Sequence, residues 1–218
     1  MIKYRSHLII FLFFLSNFSF GQDYIDPKLC IESNLLPLLG IDDCSSYRVG
    51  AELKIHNNIS AYVEGGGYFS GVSGLQIPFN AKGYIAKAEI KLYLNRDKVC
   101  YGNYLSIEGV YKKQSYDWTD TIKLVPQYIK TFRMSKNVEC LDVKYGYLAS
   151  FKSGIIIDVY TGIGIRFKDV SSTLSPQEYN SVTFGKYEDY GDTFYENVIG
   201  KLSCFNITMG IKIGYRIK

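Results

Sequence analysis

The chain has 218 residues, enough for one domain with a sizeable core, and it is rich in aromatics: 20 Tyr and 13 Phe beside a single Trp. That composition favours strands and membrane interfaces over helices. With Lys3 and Arg5 set aside in an N-terminal leader, 23 basic and 21 acidic residues remain of the 25 and 21 in the whole chain, a near balance that argues against a nucleic-acid binder.

The first residues read as a secretory signal. Lys3 and Arg5 supply the positive start, Leu8 to Leu15 a short apolar run, and Ser16 to Gly21 a small and polar stretch, with cleavage expected between Gly21 and Gln22. The apolar run is too short to cross about 30 Å of hydrocarbon as a helix. The expected division is therefore a signal peptide over 1–21 and one barrel domain over 22–218. No later run has the length and apolar character of a membrane-spanning helix, so any membrane passage falls to strands.

Period-two alternation, the signature of strands, then marks eight segments, at about 29–39, 47–56, 59–69, 83–94, 101–113, 139–151, 155–168 and 204–217. The first is the weakest because Pro37 cannot donate a ladder hydrogen bond. In the second, Tyr47, Val49, Ala51, Leu53 and Ile55 share one face, and Arg48, Glu52, Lys54 and His56 the other. The last divides as cleanly, with Phe205 to Ile217 against Asn206 to Arg216. Several segments reach the 9–11 or so residues that a tilted membrane strand needs. Connections alternate in length: 40–46 and 70–82 are medium, 114–138 and 169–203 are long, and those between them short. This is the rhythm of an up-and-down barrel with short periplasmic turns and longer outer loops. The expected fold is all-β, an eight-stranded antiparallel up-and-down transmembrane β-barrel.

The apolar face carries almost no charge, and its aromatics gather at strand ends. Tyr47, Phe69, Tyr84, Tyr111, Phe167 and Phe205 fall beside the longer connections; Phe151, Tyr215 and Tyr101 fall at the other end. Two interfacial girdles around an aliphatic band would give this distribution. The polar face carries both signs: Glu52, Glu64, Glu89, Glu108, Asp142 and Asp158 against Arg48, Lys54, Lys87, Lys91, Lys112, Lys144, Arg166, Lys212 and Arg216. Inside a narrow barrel these charges must pair. A soluble, lipocalin-like ligand-binding barrel is the competing reading, and it would turn the apolar face inward.

The run from Ile157 to Arg166, after Lys144-Tyr145-Gly146-Tyr147, resembles an uncharacterised family of Bacteroidetes outer-membrane β-barrel proteins, small barrels of the OmpA/OmpX kind. Asn34-Leu35-Leu36 and the Phe20-Gly21-Gln22 junction fit the same family. The resemblance implies a fold and an outer-membrane location, and no activity. One departure is that the last aromatic, Tyr215, stands three places before the end.

No catalytic set emerges. His56 is the one histidine after the leader and is expected at a short periplasmic turn, away from the outer rim where an envelope lipid-modifying enzyme would place a Ser-His pair. The five cysteines, Cys30, Cys44, Cys100, Cys140 and Cys204, have no metal-ligand spacing, and their odd number leaves at least one thiol unpaired within the chain. Asp158, Tyr160 and Arg166 share a strand face and read as part of the lumen charge network. Recognition is expected at the outer loops, through Trp118, Tyr128, Tyr187 and Tyr190. The expected partners are outer-membrane lipid, the barrel-insertion machinery and an extracellular ligand. No cofactor, metal, nucleic acid or enzymatic turnover is expected.

Overall fold

A computed structural model describes residues 29–39, 44–70, 79–95, 100–182 and 198–217. The signal-peptide reading and the loop residues Tyr187 and Tyr190 lie outside the described residues. Eight antiparallel strands form one closed sheet: β1 (Leu29–Asn34), β2 (Ser46–His56), β3 (Ile59–Tyr68), β4 (Phe79–Tyr93), β5 (Gly102–Ile122), β6 (Tyr128–Ser150), β7 (Ile155–Ser172) and β8 (Gly200–Ile217). Each strand pairs with its sequence neighbour, and β1 pairs with β8 to complete the ring. A six-residue helix, α1 (Pro176–Ser181), lies between β7 and β8.

The register fixes the barrel's shape. A row of paired outward residues climbs from Ile31 through Ala51, Val63, Ala88, Gly109, Leu141 and Ile165 to Phe205, yet the residue that closes on Ile31 is Tyr215, ten residues further along β8. Eight strands about 4.8 Å apart, rising about 3.3 Å per residue, must incline by roughly 40° to absorb that stagger.

The alternation divides inside from outside as the sequence implies. Val49, Ile107 and Ile163 are 57%, 59% and 57% exposed, while Glu52 and Lys212 are fully buried. The greasy face therefore points away from the axis, opposite to a lipocalin-like barrel.

Two expectations are corrected. The segment 29–39 is not one strand: β1 ends at Asn34, and Leu36–Leu39 form a 3-10 turn that accommodates Pro37. The long loop expected over 114–138 is instead the upper half of a hairpin, with β5 and β6 paired in register out to Ile122 and Tyr128. Apart from Ile129 its outward face is polar, so no apolar period marks it. Cross-strand pairs hold it instead: Arg133 donates to Asp117 at 2.8 and 3.1 Å, and Thr119 meets Thr131 at 2.7 Å. Likewise β7 continues to Ser172 and β8 begins at Gly200, which shortens the loop expected over 169–203.

Candidate functional site

The lumen is layered. Its floor is an apolar cluster of Cys30, Tyr93, Cys100, Tyr104, Leu148, Ile156 and Tyr160. Above it lies a layer of paired charges. Lys91 reaches Glu52 at 2.7 Å and Asp158 at 3.0 Å; Lys144 reaches Glu108 at 2.7 Å and Glu89 at 2.8 Å. Lys212 stands 3.4 Å from Asp158, 3.6 Å from Glu89 and 3.7 Å from Glu32, and Lys87 lies 3.4 Å from Glu64 and 3.8 Å from Glu108. Lysines thus bridge the carboxylates of neighbouring strands, Lys87 between Glu64 and Glu108 and Lys144 between Glu89 and Glu108. Each lysine serves two or three acids, which is how one layer offsets the desolvation of so many ions.

Tyrosines complete the layer. Tyr93 donates to Glu52 at 2.6 Å, Tyr62 to Glu64 at 2.8 Å and Tyr104 to Asp158 at 2.8 Å, while Ser60 and Ser106 donate to Glu52 and Glu89 at 2.6 Å. Their rings also face the ammonium groups: Lys212 Nζ lies 3.8 Å from the Tyr62 ring centre and Lys144 Nζ 4.3 Å from that of Tyr160. Room for the rings comes from glycine on the adjacent strand. A Cβ at Gly146 would sit 2.4 Å from the Tyr104 ring, and one at Gly210 2.4 Å from the Tyr160 hydroxyl.

Toward the outer end, Arg166 donates to Asn206 Oδ1 at 2.9 and 2.6 Å, and Asn206 in turn donates to Asp142 at 2.6 Å. Arg48 donates to Ser46 at 2.9 Å, and Arg216 at the opposite end to Ser150 at 2.7 Å. Lys54 and Lys112 face the lumen but are only half-buried. Asp158, Tyr160 and Arg166 do not form one cluster. Asp158 belongs to the Lys91 and Lys212 layer, Tyr160 accepts from Asn34 at 3.2 Å, and Arg166 lies eight residues up the strand on Asn206. His56 is exposed at the end of β2.

The outer end is closed by a second apolar cluster. Ile85, Val110, Val138 and Val170 lead up to Tyr116, Ile122, Phe132, Met134 and Val182, with Trp118, Leu124, Leu174 and Tyr179 packed against it. Trp118 therefore sits against the cap rather than standing free in a loop. Helix α1 is held by a capping box, with Ser175 and Glu178 reciprocally hydrogen-bonded and Pro176 opening the helix. The Glu178 carboxylate also accepts from Lys130 and from Tyr128, the latter at 2.9 Å, so Tyr128 fastens the cap to the hairpin tip. These hydrogen bonds, Lys130 first, hold Glu178 down from 4.5 to about 2. A carboxyl lowered on folding stabilises the cap above its ordinary range, and that contribution fades as pH falls from about 4.5 to about 2. Fluorescence of Trp118, the single tryptophan, is expected to shift across that window, and the shift is expected to disappear in Glu178→Gln. A pH-independent Trp118 signal would count against this coupling.

Outside, the expected girdle residues Tyr47, Tyr84, Tyr111, Phe167, Phe205 and Tyr215 are exposed, and Phe69 and Phe151 half-exposed. The outward face holds no charge from Ile217 up to Phe205 on β8, from Ile155 to Phe167 on β7, or from Leu94 to Tyr84 on β4. Exposed charges begin just beyond, at Lys82, Lys113, Glu139, Asp169 and Lys201. There a groove of about 530 Å³ opens on the outer wall, lined by Tyr111 and Phe167 together with Glu139, Asp169 and Lys201.

Of the charged residues read onto the inward face, Arg48, Glu52, Glu64, Lys87, Glu89, Lys91, Glu108, Asp142, Lys144, Asp158, Lys212 and Arg216 are buried, and Lys54, Lys112 and Arg166 half-buried. Tyr62, Tyr93, Tyr104 and Tyr160 share that inward face, and their role as carboxylate donors and ammonium-facing rings follows from cross-strand register. No protein-family model, curated protein or solved structure matches the chain.

Proposed function

We propose that this chain is a non-enzymatic β-barrel of a Gram-negative outer membrane, exported by its N-terminal signal, that serves the envelope as a structural element or binds at the surface through its outer hairpin and cap. One observation carries the reading: an uncharged outward band separates two aromatic levels by the thickness of a bilayer core. On β8 the ten residues from Phe205 to Tyr215 cover about 33 Å of strand, which an inclination near 40° projects to roughly 25 Å along the axis. That height matches the apolar band of outer-membrane barrels, about 25 Å. The inward ion pairs and the closed ring support the same reading, because lipid satisfies neither charges nor free strand edges. The groove at Tyr111, Glu139 and Lys201 joins rings to charges where lipid headgroups would meet the wall.

The packed charge layer favours a barrel with little or no conductance. Heat-modifiable mobility on an SDS gel and recovery in the outer-membrane fraction are the expected results, with no unitary currents in planar bilayers. Recovery of folded protein in the soluble periplasm, stable without detergent, would overturn the membrane reading in favour of a soluble barrel. Turnover of lipid substrates lost on His56→Ala would overturn the non-enzymatic one.

A further inference from the structure

We propose that Cys30 and Cys100 are joined by a disulfide that fastens β1 to the β4–β5 connection and seals the floor of the barrel. The two are free thiols in this structure and 70 positions apart in sequence, yet both belong to the same buried cluster, with the Cys100 side chain within hydrogen-bonding reach of Cys30. Both are buried, at 0% and 2% exposure, in one enclosure walled by Tyr93, Tyr104, Leu148 and Ile156. Cys100 reaches this position with a φ of 53°, in the left-handed region that side-chain-bearing residues seldom occupy. Backbone held there against its preference marks a position set by its surroundings.

The other cysteines do not offer an equivalent pair. Cys140 and Cys204 both register with Arg166, from opposite sides, and so stand two strands apart, about 10 Å and beyond disulfide reach. Cys44 and Cys140 share the second apolar cluster, but Cys44 leads into β2 and Cys140 lies on β6, four strands away and so on the opposite wall of the ring.

The cross-link would act where the ring is thinnest. β1 has only six residues, and it closes the sheet on both sides, against β2 and against β8. A tie from its lumen side to the residue two positions before β5 shortens the unfolded chain's freedom by a loop of about 70 residues, and long loops stand to gain the most from closure.

The chemistry needs a two-electron acceptor, here a disulfide oxidant of the exported compartment. Its S–S bond is attacked by one cysteine thiolate, giving a mixed disulfide and one released thiol. The second cysteine then displaces the second thiol, so two S–H protons leave, one S–S bond forms and one breaks. Because both sulfurs are shielded in the finished barrel, the exchange precedes closure, and the same shielding protects the product from reductants.

The inference rests on the export reading, so the test has two arms. In the first, the full-length chain is expressed with its own leader, extracted from envelopes, alkylated under denaturing, non-reducing conditions and digested. A linked Cys30–Cys100 peptide, ~2 Da lighter than the two thiol forms, is expected, with Cys44, Cys140 and Cys204 alkylated. In the second, purified chain is refolded into detergent in a glutathione redox buffer. The same peptide is expected there. Cys30→Ser and Cys100→Ser are each expected to lower the midpoint of the heat-modifiable transition by about 5–10 °C, and Cys204→Ser to leave it unchanged. Complete alkylation of Cys30 and Cys100 in both arms would overturn the proposal. A linked peptide on refolding, from a chain found only in the cytosolic fraction, would overturn export and leave the thiol geometry standing.

Discussion

Ile163→Arg is expected to cost the barrel about 2–4 kcal/mol of stability in a bilayer, the range for arginine near the midplane of a membrane barrel. Ile163 is 57% exposed, pairs with Val143 and Ile207, and sits midway along the uncharged part of β7. In water an exposed side chain of that kind changes stability by about 0.5 kcal/mol or less on substitution. The size of the penalty therefore measures the solvent outside the wall. Ser171→Arg, exposed on the same strand and face but beyond Phe167, serves as the control and is expected to be near neutral. Urea titration of folding into lipid vesicles gives both values. Equal, small effects for the two substitutions would mean that the band does not face hydrocarbon.

Lys91→Met is expected to be the most damaging single change inside the lumen, at about 3–5 kcal/mol, because it strips the shared cation from two buried carboxylates. Glu52 would keep its hydrogen bonds from Ser60 and Tyr93, and Asp158 the one from Tyr104 together with its ion pair to Lys212 at 3.4 Å. Hydrogen bonds from neutral groups do not replace a full positive charge at 2.7 Å. The repulsion between Glu52 and Asp158 would then drive barrel opening, read as a lower urea midpoint. Adding Glu52→Gln and Asp158→Asn to Lys91→Met is expected to restore most of the loss, since removing the whole ionic set also removes its desolvation cost. Lys54→Met, at the half-buried lower rim, is expected to cost under about 1 kcal/mol. Similar losses for Lys91→Met and Lys54→Met would show that the central layer is not an interdependent network.

The readable parts of this protein were those governed by residue parity. Val49 and Glu52, or Ile211 and Lys212, had to face opposite ways in any strand, because successive side chains alternate across a sheet. The same rule failed where its input changed. From Ser115 to Thr121 both faces carry polar or aromatic groups, so the upper β5–β6 hairpin showed no apolar period although Asp117–Arg133 and Thr119–Thr131 zip it together. Helix α1 has a local signature of its own: Ser175-Pro176-Gln177-Glu178 carries a proline at the first helical position inside a capping box. Pro37 gave a true warning, and the strand stops three residues before it.

Local pattern alone specifies a ribbon of alternating strands with ionic groups on one face, aliphatic groups on the other and aromatics toward the ends, because those properties belong to each segment separately. The assembled barrel is what closes the ring with a ten-residue stagger and sets Lys91 against Glu52 and Asp158 rather than other acids. It also brought Cys30 to Cys100 and turned the greasy face outward. These are relations between strands distant in the chain, set by which hydrogen-bond register lets all eight ladders and the crowded interior be satisfied at once. No local pattern encodes that condition.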